Sequence, residues 1–333
     1  MPRRLSFVKH GTFDAVIFDI DNVLIDTRRS YQDAIRWTVE IYLTCGNVPL
    51  FLAPPRRSEP TLLSPQDVNE FKLLGGFNDD WDCCYAFLVY LLALPVKKRT
   101  LGGLKQQMKL KDFTKKVKKR PLRVNGIVQM LGRPPAVTIE RIARIFQEVY
   151  LGKELFRLSE HKDPYYWNKR GLIHKEKLIF RPSTLEKLKS MGIKMGIATG
   201  RPRFEALHAL KHFGILDYFE AITTIDEIRK AEQEMKQSLR KPHPFSVLET
   251  AKKLGHGLRF LYVGDLPDDV LSANQAKDTI DIYSVAFPWF SGNVRSALSE
   301  IEKIGADFLL EKPAGLAGLV KRKRIALKSQ VNV

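Results

Sequence analysis

Long apolar runs are missing from this chain of 333 residues, and cysteines are few. The longest uncharged apolar stretch, Cys83 to Pro95, falls well short of the roughly 20 residues that a bilayer-spanning helix needs, so no membrane span is expected. Cys45, Cys83 and Cys84 offer neither a disulfide framework nor a C-x-x-C metal spacing, which points to a reducing, cytoplasmic setting. Arg3 and Arg4 are followed by no apolar run before Gly11, so no signal peptide is expected either. Acidic residues are also scarce, 37 against 55 Lys and Arg, which leaves a net charge of +18. What remains is 44% hydrophobic and 28% charged, the balance of a folded soluble chain, and its length suits two domains.

The positive excess is concentrated. Between Lys97 and Arg123 twelve Lys or Arg stand against one acid, Asp112, and a second cluster runs from Lys321 to Arg324 with Lys328 beyond. Such runs read as a solvated basic face, with a nucleic-acid partner as the alternative and a field that attracts an anionic substrate between the two.

The chain is organised around the stretch from Ala15 to Asp26. Val16 to Ile20 reads as a buried strand, and it runs into Asp19 and Asp21. Carboxylates at alternate positions of a strand repel each other unless a cation or hydrogen-bond donors sit beside them. The pair therefore either marks a site or caps a turn.

From Tyr31 to Tyr150 helical periodicity prevails. Ser64 with Asp67, and Asp79 or Asp80, look like helix starts, and no strand alternates convincingly. From Pro182 onward strand and helix take turns: Ile193 to Thr199, Phe219 to Thr223, Phe260 to Val263, Ile282 to Ala286 and Phe308 to Leu310 are strands between amphipathic helices. This alternation predicts an α/β, doubly wound parallel sheet that recruits the opening strand. The chain then divides into a core of residues 1–26 and 175–333 and an inserted all-helical domain, 27–174.

In such a sheet ligands bind beyond the carboxyl ends of the strands, where loops meet helix amino termini. Asp19 and Asp21 end one strand, Thr199-Gly200-Arg201-Pro202 a second, and Gly264-Asp265-Leu266-Pro267-Asp268-Asp269 a third, while Lys241 in Lys241-Pro242-His243-Pro244 precedes a helix. Taken in order, these four pieces resemble the motifs of the haloacid dehalogenase-like hydrolase superfamily, its phosphoglycolate phosphatase-like branch in particular, with the helical insert in the place of that family's type-1 cap. Gly75-Gly76-Phe77-Asn78-Asp79 also looks like a stretch from one subgroup of that branch.

The resemblance implies a Mg²⁺-dependent phosphatase acting on a small phosphorylated substrate, with Asp19 as nucleophile and Asp21 as general acid and base. Asp19, the Asp21 carbonyl, Asp265 and Asp269 are then the metal ligands; Thr199 and the Gly200 N–H hold the phosphate, and Lys241 offsets its charge. A phosphomutase using the same aspartate pair is the near alternative, and a catalytically silent nucleic-acid-binding protein the distant one. The sequence departs from the family at Asn22 and Val23, where Gly-Thr is usual; Asn tolerates the left-handed conformation that the glycine would adopt.

Other residues carry plainer readings. Asp268 is expected to cap the helix that follows, His208 and His212 to lie at a surface, and His243 to be structural. Tyr165-Tyr166-Trp167 reads as a packing cluster, and Arg201 as a substrate clamp or a solvent-facing residue.

Overall fold

The computed structural model describes residues 13–45, 50–52, 58–72, 79–117, 123–134, 136–292 and 294–321. Residues 75–78 of the glycine-rich stretch, 118–122 of the basic segment and 322–328 of the basic tail lie outside this set. Contacts divide the chain into two compact units, Met1–Asp26 with Lys177–Val333, and Thr27–Glu176. The return crossing falls two residues later than the expected 174, because Lys177–Leu178 pairs antiparallel with Ile25–Asp26.

Among the described residues eight strands belong to the first unit: β1 (Ala15–Phe18), β2 (Ile25–Asp26), β3 (Lys177–Leu178), β4 (Lys194–Ala198), β5 (Ala221–Thr223), β6 (Phe260–Gly264), β7 (Ile282–Ala286) and β8 (Phe308–Leu309). β2 and β3 form the small antiparallel pair, and the other six form one sheet in the order β5-β4-β1-β6-β7-β8. Every pairing in that sheet is parallel. A parallel sheet is covered on both faces, which is why β1 is apolar at every position and fully buried.

Alternation of side chains splits β1 between two layers. Val16 and Phe18 pack on one face with Met195, Ile197, Leu261 and Val263; Ala15 and Ile17 pack on the other with Ala198, Phe260 and Tyr262. The register explains this division, since Phe18 lies beside Ile197 and Val263, and Ile17 beside Tyr262. Ile17 also faces Gly196, where an added Cβ would come within 2.7 Å of the Thr250 side chain. Glycine there lets the helix Phe245–Leu254 lie close on β4.

The second unit is helical in its described residues, apart from isolated bridges at Leu52–Thr100 and Gly152–Arg170. Local sequence sets its helix ends. Ser64 and Asp67 exchange hydrogen bonds across the first turn of Pro65–Lys72, and Asp79 accepts from the Trp81 and Asp82 N–H groups to open Asp80–Leu92. The longest helix, Ile139–Glu160, breaks at Gly152, whose φ of 74° is left-handed. Lys97, Lys98, Arg99, Lys105, Lys109, Lys111, Lys115 and Lys116 are exposed, while Leu101, Leu104, Leu110 and Val117 are buried, the pattern of a solvated basic face. Among the described residues no helix is long and apolar enough to cross a membrane.

Candidate active site

Because β4, β1 and β6 are adjacent and parallel, the residues that follow them meet at one edge of the sheet. Asp19 follows β1, Thr199 follows β4, and Asp265 follows β6. The turn after β1 closes on one acceptor, as the Ile20 carbonyl receives the N–H groups of Val23, Leu24 and Ile25. That turn requires Asn22 at φ 57°, a conformation that Asn adopts more readily than most residues. Val23 is fully buried in the core, which accounts for an apolar residue where the family usually has a hydroxyl.

Asp19, Asp265 and Asp269 are all buried, and one oxygen from each lies within 4.8 Å of the others. Lys241 joins them, its Nζ 3.1 Å from Asp19 Oδ1 and 2.8 Å from Asp269 Oδ1. The contact with Asp19 is an ion pair without the angular alignment of a hydrogen bond. Asp265 Oδ2 is buried with no donor among the described residues.

Asp269 is the most fully engaged of the three. Its Oδ2 accepts from the Asp265 and Leu266 N–H groups at 3.1 and 3.0 Å, and its Oδ1 accepts from the Tyr262 hydroxyl at 2.8 Å. This folding-back explains Gly264, where an added Cβ would sit 2.2 Å from that of Asp269. It also corrects the expectation for Asp268: the helix runs Pro267–Ala276 from an N-cap at Leu266, so Asp268 is already helical, and it is the Asp269 carboxylate that satisfies the N–H groups before the helix.

The electrostatics follow from crowding without water. Burial pushes the Asp19 carboxyl up against the pull of Lys241, and with the charges of Asp269 and Asp21 added it stands at about 7. Asp265 is raised well above the usual carboxylate range by burial and then by Asp269 and Asp19. Burial alone would lower Lys241, but the carboxylates of Asp19 and Asp269 outweigh it and hold the ammonium well above its ordinary value. Three buried carboxylates, one of whose oxygens meets no donor among the described residues, make an all-oxygen set that fits a hard divalent cation.

Thr199 is fully buried, and its Oγ1 accepts the Arg201 N–H at 3.2 Å, leaving the hydroxyl proton to donate elsewhere. Gly200 has open space where a side chain would project. Asp21 stands apart from the carboxylate cluster: it is partly exposed and its Oδ1 accepts from Arg201 Nε at 2.7 Å and lies 2.6 Å from Nη2.

Arg201 thus neither faces solvent nor marks a surface helix start; it is the bulkiest fully buried side chain among the described residues. Sequence reasoning missed this partner, and it missed Tyr262 and the reason for Gly264. A tyrosine in the middle of an otherwise apolar strand was the available signal, because a buried hydroxyl needs an acceptor. His243 Nδ1 accepts the Phe245 N–H, a local structural bond, and His208 stacks between Phe204 and His212. Tyr166 and Trp167 donate their N–H groups to Glu148 and pack as a cluster, with the Trp37 and Trp167 ring centres 5.2 Å apart.

Known proteins agree with this architecture. The sequence model of the haloacid dehalogenase-like hydrolases matches residues 13–277. A phosphoglycolate phosphatase of Rhodobacter capsulatus is 31% identical over 105 residues, 32% of this chain and 43% of that enzyme. The pyrophosphatase PpaX of Bacillus pumilus is 35% identical over 94 residues, 28% of this chain and 39% of that one. In both the match spans less than half of the relative's length. Among solved structures the phosphatase Tt82 of Thermococcus thioreducens superposes with a TM-score of 0.56 at 23% identity, covering 85% of this chain and 98% of its own.

Proposed function

Because the chain belongs to the haloacid dehalogenase-like hydrolases, we propose that it is a Mg²⁺-dependent phosphatase that hydrolyses a small phosphomonoester through a phosphorylated Asp19. The observation that carries this reading is the convergence of Asp19, Asp265, Asp269 and Lys241 at the edge of the sheet, with Asp21 two residues after Asp19 and held by Arg201. The relatives named above act, by their names, on phosphoglycolate and pyrophosphate, both small phosphorylated compounds.

In the first step a carboxylate oxygen of Asp19 bonds to phosphorus as the bond to the leaving oxygen breaks, and Asp21 gives that oxygen a proton. In the second, Asp21 takes a proton from water, the water oxygen bonds to phosphorus, and Asp19 leaves with its carboxylate restored. The Thr199 hydroxyl and the Gly200 N–H donate to the phosphoryl oxygens, and Lys241 balances their charge. Asp19, Asp265 and the Asp21 carbonyl would hold the cation. Asp269, with its oxygens committed to Lys241, Tyr262 and two N–H groups, contributes charge and position more than a free ligand atom. When bound, the cation supplies charge neutralisation to the buried carboxylates and the phosphoryl oxygens.

The test is hydrolysis of p-nitrophenyl phosphate with and without Mg²⁺ by the parent and Asp19→Asn. The reading expects cation-dependent turnover in the parent and a fall of roughly 1,000-fold or more in the variant. Equal, cation-independent rates in the two proteins would overturn it.

A further inference from the structure

The geometry points to Arg201 as a positioning residue that fixes the Asp21 carboxylate by occupying its Oδ1, so that Oδ2 is the oxygen that exchanges the proton with the leaving group and the attacking water. This rests on the proposed phosphatase reading, in which Asp21 is the acid and base.

Three observations carry it. Arg201 is 1% exposed, and a guanidinium taken so fully out of water requires charged or hydrogen-bonding partners to persist. Two of its nitrogens, Nε and Nη2, converge on one oxygen, Asp21 Oδ1, at 2.7 and 2.6 Å. A guanidinium is donor-only and stays charged at any working pH, so an oxygen receiving two of its nitrogens is a poor place for a proton. The second oxygen of Asp21 belongs to a side chain 29% exposed, and both of these Arg201 contacts fall on the first.

The guanidinium is itself fixed from the backbone. The Arg201 N–H is held by Thr199 Oγ1, the Arg201 carbonyl accepts the Ile225 N–H at 3.1 Å, and the helix Arg203–His212 begins two residues later. The segment that presents Thr199 to the phosphate therefore also sets the angle of Asp21. Lysine cannot replace this arrangement, because a single ammonium on a flexible stem does not reproduce a planar fork on one oxygen.

The experiment follows p-nitrophenyl phosphate hydrolysis by Arg201→Lys on a millisecond scale. Nitrophenolate departs without a proton, whereas attack of water on the phosphorylated Asp19 still needs Asp21 as base. The expected result is a KM within about threefold of the parent and a burst of one nitrophenolate per chain. The steady phase after it slows at least about tenfold more than the burst itself. In an Asp21→Asn background the same substitution should cost nothing further. Guanidinium ion added to Arg201→Ala should restore part of the steady rate. A raised KM with kcat preserved would place Arg201 on the substrate and overturn the inference, as would equal slowing of burst and steady phase or an additional loss in the Asp21→Asn background.

Should the Arg201 variants fail to fold, the ¹⁵N signal of Arg201 Nε in the parent and in Asp21→Asn decides. Loss of exchange protection on removing the carboxylate charge supports the contact, and an unchanged signal overturns it. An inert parent overturns the phosphatase reading and this inference together, while an active parent with unchanged Arg201→Lys kinetics overturns this inference alone.

Discussion

Both units of the protein bury carboxylates, and they differ in whether these are kept apart or brought together. In the helical unit each buried Glu is surrounded by donors: Glu40 accepts the N–H groups of Thr61 and Leu62, Glu148 those of Tyr166 and Trp167 together with Arg144, and Glu176 the hydroxyls of Ser30 and Tyr150. In the α/β unit one oxygen each of Asp19, Asp265 and Asp269 is gathered within 4.8 Å of the others, and Asp265 Oδ2 meets no donor among the described residues. Burial of an acid is therefore no sign of a site by itself. Mutual crowding of acids is the stronger sign, because it costs stability and such costs concentrate at functional sites.

The comparison breaks most visibly at Glu148. Replacing it with Ala strands two backbone N–H groups and Arg144 and is expected to cost about 3–5 kcal/mol, read as a lowered urea midpoint. The pH dependence of the cation-free protein is the next largest effect. Asp19 sits near 7 when folded against an ordinary 3.8, so the folded state binds the extra proton between those values. Stability from this group is complete below about pH 4 and is lost as pH rises through 7, a change on the order of 4 kcal/mol. Calorimetry with chelator across pH 4–8 checks it, and Mg²⁺ should raise the thermal midpoint more at pH 8 than at pH 5.

Asp265→Asn sharpens the contrast with Glu148. Taking one acid out of the crowded set should raise the cation-free thermal midpoint at pH 8, by about 3 °C, while lowering Mg²⁺-dependent turnover at least about 100-fold. A lowered midpoint would mean that Asp265 is held as securely as Glu148. The smallest effect belongs to Asn22→Gly. Relief of a left-handed conformation offsets the added freedom of the unfolded chain, so stability and rate should stay within a few tenths of a kcal/mol of the parent.

Much of this was legible in the chain itself. Polar residues at strand ends announce themselves because the strands before them are apolar without interruption, so Asp19, Thr199 and Asp265 could be placed on one sheet edge from order alone. Helix starts at Ser64 and Asp79 were readable because capping is a local affair. Arg201 was not, since an arginine at the head of a helix reads as solvated unless the carboxylate opposite is known, and that carboxylate is 180 positions away. Asp269 likewise looked like a simple ligand, because nothing in a spacing tells which of its oxygens the backbone already holds.

The placement of β1 has a consequence for how the protein is made. β1 lies between β4 and β6, yet it is translated about 180 residues before the first neighbour and about 245 before the second. At common elongation rates of about 5–20 residues per second, a wholly apolar segment waits on the order of 10–50 seconds for its second partner. The helical unit, contiguous in sequence, emerges whole during that interval. The ribosome thus delivers the whole insert before the segment bearing Asp19 can be enclosed, and premature termination anywhere before residue 260 leaves that segment without one of its two flanks.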